Sequence, residues 1–575
     1  MDLFDAMLYY LFLSAMPAAN PISGAVSLVI AVTGHCDLIP GDYEGFELEI
    51  GKIFAALRGK YPNTPLLLLS GLAEGGDRIA VRAAMTATIP YIAVLPMPMA
   101  LYRQDFTNEE SDSEFEDLRK GALRCIEVPL AANSTLDGIA QPGPARDRQY
   151  ELLGRFLVRH SQILIAIWDQ DRTNKPGGTS HVVAMKLREE SPPGRLAFSQ
   201  MNTNGAGPVY VLPARRIGSG CAAGPALKRE VRYPESSVPE DYEASYRLLD
   251  RFNADIARAG SDFPEAVKNS RSGLFEGEEA IGLSAAMQWV ASVYSQADAI
   301  AIRFANASIR TWKVIFLLLA LSGLALIWMH AMDQGWPFLC GYYGCLGGAF
   351  TLMWYEWKSK RRDRHEDYRA LAEALRVQFF WMAAGLRDMA AEQYQQAGET
   401  VWVRDAMSEC GLYDGIVDRS PAGKVDRASR LRLAHTWVAG QAKYFWHTKE
   451  RYEKLKKALT IFASVAVPIG LIAPLFWLVP KFKRWSHVVA ALAMWWAALA
   501  WNYIEHRGFA HARQCARMYT LFHDADEDLN KFERERNFDE CERTIRELGR
   551  EALAENGDWL TMHRETKSSM QLATG

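Results

Sequence analysis

Four long uncharged stretches in the second half of this 575-residue chain restrict what it can fold into. Val314–Met332 has 19 residues, Gly335–Tyr355 has 21, Ala458–Pro480 has 23 and Trp485–Ile504 has 20. A helix needs about 20 apolar residues to cross the hydrocarbon of a bilayer. One such run also fits a buried core helix; four of matching length in two close pairs predict two transmembrane hairpins. Lys and Arg crowd the outer flanks at Arg303–Lys313, Lys358–Arg364, Lys449–Lys457 and Arg507–Arg517. The hairpin turns hold only Lys481, Lys483 and Arg484. The positive-inside rule then predicts a multi-pass protein of the inner (cytoplasmic) membrane with both termini in the cytoplasm, against which the basic second turn is a blemish.

The two hairpins read as a repeat. At a shift of 148, Trp289-Val290-Ala291 falls on Trp437-Val438-Ala439, Arg303 on Arg451 and Tyr355 on Tyr503. The expected unit is a cytoplasmic helix, a membrane hairpin and a second cytoplasmic helix. After the first hairpin, Tyr368, Leu371, Leu375, Phe379 and Met382 make one apolar helical stripe that predicts packing on a neighbouring helix. Gly341, Gly344, Gly347 and Gly348 predict close helix approach, and Pro468 and Pro474 predict a kink in the third span. No acid or base stands in the middle of a span, which argues against an ion-coupled transporter.

The first half is different. Apolar strands are expected at 26–34, 65–71, 91–97, 163–169 and 209–214, with "CIEVPL" (125–130) as a further candidate, and helical patterns lie between them. Continuous apolar strands alternating with helices predict a doubly wound, Rossmann-like α/β domain with a parallel sheet covered on both faces. Such sheets bind ligands beyond the strand C-terminal ends. There the chain carries "TGHCD" (33–37), "SGLAEGGDR" (70–78), "PMP" (96–98) and "WDQDRTNKPGGTSH" (168–181). Gly71 suits a sharp turn. Gly75 and Gly76 suit close backbone approach to a ligand, with helix N-terminal amides open to an anion such as phosphate. Glu74 and Asp77 suit ribose hydroxyls or a helix cap. Gly177, Gly178 and Thr179 form a second candidate cradle. The competing reading is that these glycines only make tight turns.

"SGLAEGGDRIAVRAA", "VLPMPMALYRQDF", "ILIAIWDQ" and "PGGTSHVVA", in this order, resemble the SLOG superfamily over about residues 26–216. The membrane half resembles the SLATT group of hairpin effectors in architecture. The resemblance implies a sensor of a nucleotide-derived second messenger, an ADP-ribose derivative or a cyclic nucleotide, coupled to a membrane-disrupting or channel-forming effector in bacterial antiphage defence. By position it implies ligand contacts from Thr33, Gly34, His35, Ser70, Gly71, Glu74, Gly75, Gly76, Asp77, Arg78, Gly177, Gly178 and Thr179, with Trp168 walling a base. Relatives often carry Arg where Cys36 stands. The loop "PGGTSHVV" lacks the PGGxGTxxE glutamate of the hydrolytic relatives, so binding without catalysis is expected and no cofactor is implied.

Two alternatives stay open: a membrane-tethered nucleotide N-glycosidic hydrolase using Glu74 and Asp77, and an accessory subunit with a vestigial site. His35 and His181 have no third partner at metal spacing, so no metal is expected. Eight scattered cysteines without a CxxC pair signal neither zinc nor a disulfide scaffold and fit a reducing compartment. A net charge of −3 argues against binding a nucleic-acid polymer. The expected partners are the messenger, the bilayer and further copies of the chain, because a pore from four-span subunits needs several.

The division expected is an apolar extension (1–25), read as a docking helix or as residues preceding a true start at Met16; the nucleotide-binding domain (26–216); a connector (217–285); a first helix and hairpin unit (286–390, spans about 312–332 and 335–357); a cytoplasmic linker (391–435); and a second unit (436–575, spans about 458–480 and 485–505). The acidic run 108–119 is read as a solvated loop and helix start, and 410–424 as a loop of no assigned role.

Overall fold

A computed structural model describes residues 24–106, 108–172, 175–188, 205–217, 229–235, 237–275, 283–331, 335–393, 401–413, 426–472 and 509–574, with 475, 489–490, 492–493 and 495–496. The apolar extension, Pro474, both hairpin turns and most of the fourth uncharged run lie outside these residues.

Seven strands form one mixed, mainly parallel sheet: β1 (Leu28–Gly34), β2 (Leu66–Ser70), β3 (Tyr91–Leu95), β4 (Arg124–Glu127), β5 (Ile163–Trp168), β6 (Val209–Pro213) and β7 (Glu230–Arg232). Their order is β4-β3-β2-β1-β5-β6-β7, and only the edge strand β7 runs antiparallel. β1 is paired on both sides, Leu28 with Leu66 and Ile30 with Ile163. Helices α1 (Tyr43–Lys60), α2 (Gly76–Thr86) and α3 (Glu109–Gly121) cover one face; α4 (Pro144–His160) and α5 (Thr179–Leu187) cover the other. Leu28, Ile30 and Val32 point into the first layer, Val29 and Ala31 into the second, so none of these five positions is free to be polar.

The acidic run 108–119 is more than a solvated face. Asn108 caps α3 by accepting the Ser111 N–H at 2.8 Å. Glu114 receives Arg78 at 2.8 Å and Arg82 at 2.6 Å, tying α3 to α2.

The described residues that follow are mainly helical: α6 (Pro239–Ala257), α7 (Phe263–Leu274), α8 (Ala285–Ala331), α9 (Trp336–Ser359), α10 (Arg361–Ala384), α11 (Val401–Ser408), α12 (Arg427–Ile472), α13 (Phe509–Arg534) and α14 (Phe538–Thr574). The apolar stripe of α10 does pack as its spacing implies. Tyr368, Leu371, Leu375 and Phe379 are all 0% exposed in one core shared with α8, α12 and α14. Phe380 stacks on Trp437 at 5.2 Å, and the Trp381 indole N–H donates to the Ile545 carbonyl at 3.1 Å. The 148-residue shift maps α10 onto α13 almost end to end.

The expected connector and linker turn out to be structural. α6 and α7 bury Leu249, Phe252, Phe263 and Leu274 in the helical core, and β7 extends the sheet. Residues 401–413 bury Trp402, Val403, Met407, Cys410 and Leu412. That short segment joins the two halves. Glu409, 1% exposed, accepts the Ser27 N–H at 2.7 Å and the Ser27 hydroxyl at 2.9 Å. His160 Nδ1 bonds the Ser408 carbonyl at 2.9 Å, and Arg124 donates to the Tyr413 carbonyl at 2.8 Å.

Two described helices, within α8 and α12, are long and apolar enough to cross a membrane. Their apolar ends are largely uncovered: Leu317, Ile461, Val465 and Leu471 are 55–66% exposed. α9 packs on α8 through Gly348, where a side chain would meet Leu318 at 3.4 Å, and it leaves Trp336, Phe350 and Trp357 at least 70% exposed. Pro468 lies inside α12.

Burial pushes the Glu409 carboxyl up from 4.5 to about 7, despite the Ser27 bonds that favour its charged form. A carboxyl raised by folding contributes stability that is full below its unfolded value and is lost as pH rises through the folded one. Melting of the full chain in detergent should therefore weaken between about pH 4 and 7, by on the order of 3 kcal/mol from this group, and level off above that. In Glu409→Gln that part of the slope should vanish; an unchanged slope would refute the assignment.

Candidate ligand site at the strand switch point

Strand order reverses between β1 and β5, since β2 to β4 lie on one side of the pair and β6 and β7 on the other. The loops that leave β1 and β5 therefore diverge and open a crevice at their C-terminal ends. At that point Gly34 pairs with Ile167, and the His35 N–H donates to the Ile167 carbonyl at 3.2 Å. The His35 ring crosses the crevice: its Nε2 bonds Asp169 at 2.9 Å.

Arg216, just past β6, completes the lacing. Its Nε donates to both Asp37 oxygens at 2.9 and 3.1 Å, and its Nη1 reaches Asp169 at 3.4 Å. Partial burial alone would raise both carboxyls. For Asp37 the Arg216 bond and charge outweigh it; for Asp169 the Asp171 N–H and the His35 bond lead, so both lie below the usual carboxylate range. These groups remain partly open, with His35 and Asp169 side chains 15% and 17% exposed and those of Arg216 and Asp37 35% and 42%.

The glycine-rich loop after β2 packs against the loop after β1. A side-chain carbon on Gly76 would fall 2.7 Å from the Gly34 Cα, and the same clash holds in reverse. Gly75 adopts φ +75°, and a Cβ there would lie 2.9 Å from the Cys36 carbonyl. The Gly76 N–H already donates to the His35 carbonyl at 3.1 Å. The expectation of amides open to phosphate at this helix start thus meets a different arrangement, in which close approach is between two loops of the chain itself.

Asp77 holds those loops together from beneath. It is 6% exposed and accepts backbone amides of Ala73, Gly71 and Gly34. Burial outweighs these bonds and pushes its carboxyl up to about 7. Ser70 is fully buried and accepts the Leu72 N–H at 3.1 Å. The Gly71 carbonyl takes the Tyr102 hydroxyl at 2.9 Å. Arg78, 2% exposed, reaches Leu72, Ser111 and Glu114 with Phe106 under its guanidinium. Asp77 is therefore committed to the loop backbone, where a ribose contact was one expectation for it. Glu74, half-buried and bound by the Ser111 hydroxyl, is the more outward carboxylate of this loop.

Thr33, the last residue of β1 but one, is nearly buried, at 9%. Trp168 is 2% exposed, its indole N–H bonds the Asp171 carbonyl at 3.1 Å, and Arg232 lies 5.7 Å from its ring centroid. It belongs to the core layer under α4 and α5. Gly177, at φ +72°, lies against α4, where a Cβ would meet the Glu151 amide at 2.6 Å. Its N–H donates to His181 Nδ1 at 3.0 Å, and Gly178 and Thr179 open α5. Cys36 stays accessible but is crowded, which pushes its thiol up to about 11; Asp77, Glu74 and Asp37 add to this and Lys175 opposes it. Lys175 thus brings the loop after β5 to face those after β1 and β2.

Asp37, Asp169, Lys175 and Arg216 were not singled out in the sequence. The signal present was charge in each loop beyond a strand end, overshadowed by the glycines. Among the described residues no cluster suited to a metal ion occurs. A cavity of about 30 Å³ lies at the opposite end of the sheet, lined by His160, Tyr242, Arg404 and Asp405; it has room for about one water and none for a nucleotide. No family model, curated protein or solved structure matches the chain.

The packing makes a direct test possible. Gly76→Ala and Gly177→Ala should each destabilise the full chain by about 1–3 kcal/mol, because each new carbon meets backbone. Gly51→Ala, inside α1 with nothing within 4 Å, should be neutral or stabilising by about 0.5–1 kcal/mol. Thermal melts of the three variants decide it.

Proposed function

We propose that the α/β unit senses a nucleotide-derived anion and that the helical half is its membrane effector. The observation that carries this reading is the switch-point crevice, where Asp169 holds both His35 and Arg216, and Arg216 also holds Asp37, beside three converging loops. A phosphate entering there competes with two carboxylates for a guanidinium and an imidazole, so binding would unlace the loops after β1, β5 and β6. The order of motifs resembling SLOG sensors supports an ADP-ribose derivative or a cyclic nucleotide as the ligand, and antiphage defence as the setting.

The membrane part of the reading has four spans: the ends of α8 and α12, α9, and the run Trp485–Ile504. Its support is the uncovered apolar surface of the first three and a belt at their cytoplasmic level. There Arg361 bonds the Thr311 and Tyr355 hydroxyls at 3.2 and 2.9 Å, and Lys358 lies 5.0 Å over Trp354. Tyr, Trp and basic side chains at one level are what a lipid interface selects. Cytoplasmic termini, an inner-membrane location and a homo-oligomeric effector follow from this reading.

Hydrolysis of an N-glycosidic bond has one observation in its favour, the Asp77 carboxyl near 7, where a general acid works best. Its burial beneath the loops, bound to three amides, favours a structural role.

Calorimetric titration of the full chain in nanodiscs with ADP-ribose derivatives and cyclic nucleotides tests the proposal, with each ligand checked afterwards by mass spectrometry. One ligand should bind and emerge intact. Arg216→Ala and His35→Ala should each weaken it about tenfold or more, the worth of a charge-assisted hydrogen bond, with little change in melting. Cleaved ligand would transfer the reading to the hydrolase, and binding indifferent to both substitutions would overturn this site.

A further inference from the structure

An apolar groove of about 290 Å³ lies between α12 and Val489, Leu492, Ala493 and Trp496. Phe462, Val465 and Ile469 form one wall; Val489, Leu492 and Trp496 form the other. Phe462, Val465, Ile469, Val489 and Trp496 are each 42–55% exposed, so the groove is open along its length.

The spacing of Phe462, Val465 and Ile469 defines one helical face, and the same face continues toward the N-terminus of α12 through Ala458, Leu455, Lys454 and Arg451. Apolar character starts at Leu455, one residue beyond Lys454. The Lys454 side chain is 73% exposed, held only by an exposed pair with Glu450 at 2.9 Å. Arg451 is exposed, without an ion pair among the described residues. A single face thus passes from two accessible cations across the exposed Leu455 and Ala458 to the apolar groove that begins at Phe462.

We propose that this face seats one anionic phospholipid, its phosphate at Arg451 and Lys454 and an acyl chain in the groove. This rests on the membrane reading above. The trough offers no polar group to satisfy, which suits hydrocarbon; the mouth offers a guanidinium and an ammonium, which suit a phosphate. A second copy packed symmetrically on the same face would bring its own Arg451 and Lys454 toward these, and like charges at an interface oppose association.

The full chain is incorporated into vesicles of phosphatidylcholine with or without phosphatidylglycerol, floated on a density gradient, extracted in mild detergent and weighed by native mass spectrometry. Retained lipid should be enriched in phosphatidylglycerol. The double substitution Arg451→Gln, Lys454→Gln should lower that enrichment about tenfold or more, since each cation near the surface favours anionic lipid about fivefold. Val465→Trp, at an exposed groove position, should lower total retained lipid with unchanged melting; Ile469→Trp repeats the test should the first variant fold poorly. Equal retention of the two lipids, or enrichment indifferent to the double substitution, would overturn the seat. Disulfide-linked dimers of Val465→Cys in vesicles would overturn it too, by placing a second copy there. A chain that fails to float with vesicles would refute the membrane reading itself, whereas one that floats without lipid preference refutes the seat alone.

Discussion

The pair Ser27–Glu409 is the joint on which the molecule depends. A carboxyl 1% exposed meets both the amide and the hydroxyl of the residue just before β1. An unpaired carboxyl at that depth would cost several kcal/mol, so the bonds decide whether segment 401–413 can be buried at all. Once it is, Leu412 completes the layer over β1 and β5, while Trp402 and Met407 enter the helical core. The α/β unit and the helices thereby share packed surface through one short stretch.

Two elements run from that joint to the crevice. β1 begins beside Ser27 and ends at Gly34, whose neighbour His35 bridges to Asp169. α4, 17 residues and about 25 Å long, has the Gly177 loop against Tyr150 and Glu151 and sets its terminal His160 against Ser408 and Gly411. Burial lowers the His160 imidazole to about 4, which keeps it neutral and allows it to sit inside the seam. A rearrangement of the upper loops thus has continuous routes through packed elements to the helices.

The strands were legible because burial on both faces leaves a direct mark, an unbroken apolar run such as "LVIAVTG". The stripe of α10 was legible for the same reason at helical spacing. The joint was not. "VWVRDAMSECGL" is short, mixes charge with apolar groups, and finds partners hundreds of residues away, so nothing local distinguishes it from a loop. β7, three residues at an edge, carries too little pattern to show. At the crevice, glycine spacing located the loops correctly but gave no means of telling approach to a ligand from approach to Gly34. The His35–Asp169 and Arg216–Asp37 pairs join positions 134 and 179 residues apart, and only the strand order brings them together.

The 148-residue shift relates the packed faces of α10 and α13. Shifting the buried residues of α13 (Met518, Phe522, Ala525 and Leu529) by 148 gives Ala370, Ala374, Val377 and Trp381, all of them buried in α10. The face is kept while volume is exchanged: small residues of α10 stand where α13 has Met and Phe, and a Trp stands where α13 has Leu. Volume at a buried position is set by the neighbour across from it. α10 is central, its Trp381 occupying the space left open by Gly549 of α14, whereas α13 packs chiefly along α12 and α14. The two helices therefore share a buried face and differ in the contacts it makes. Beyond this core the ends of α8 and α12, with Leu317 and Ile461 facing outward, present apolar surface that no described residue covers.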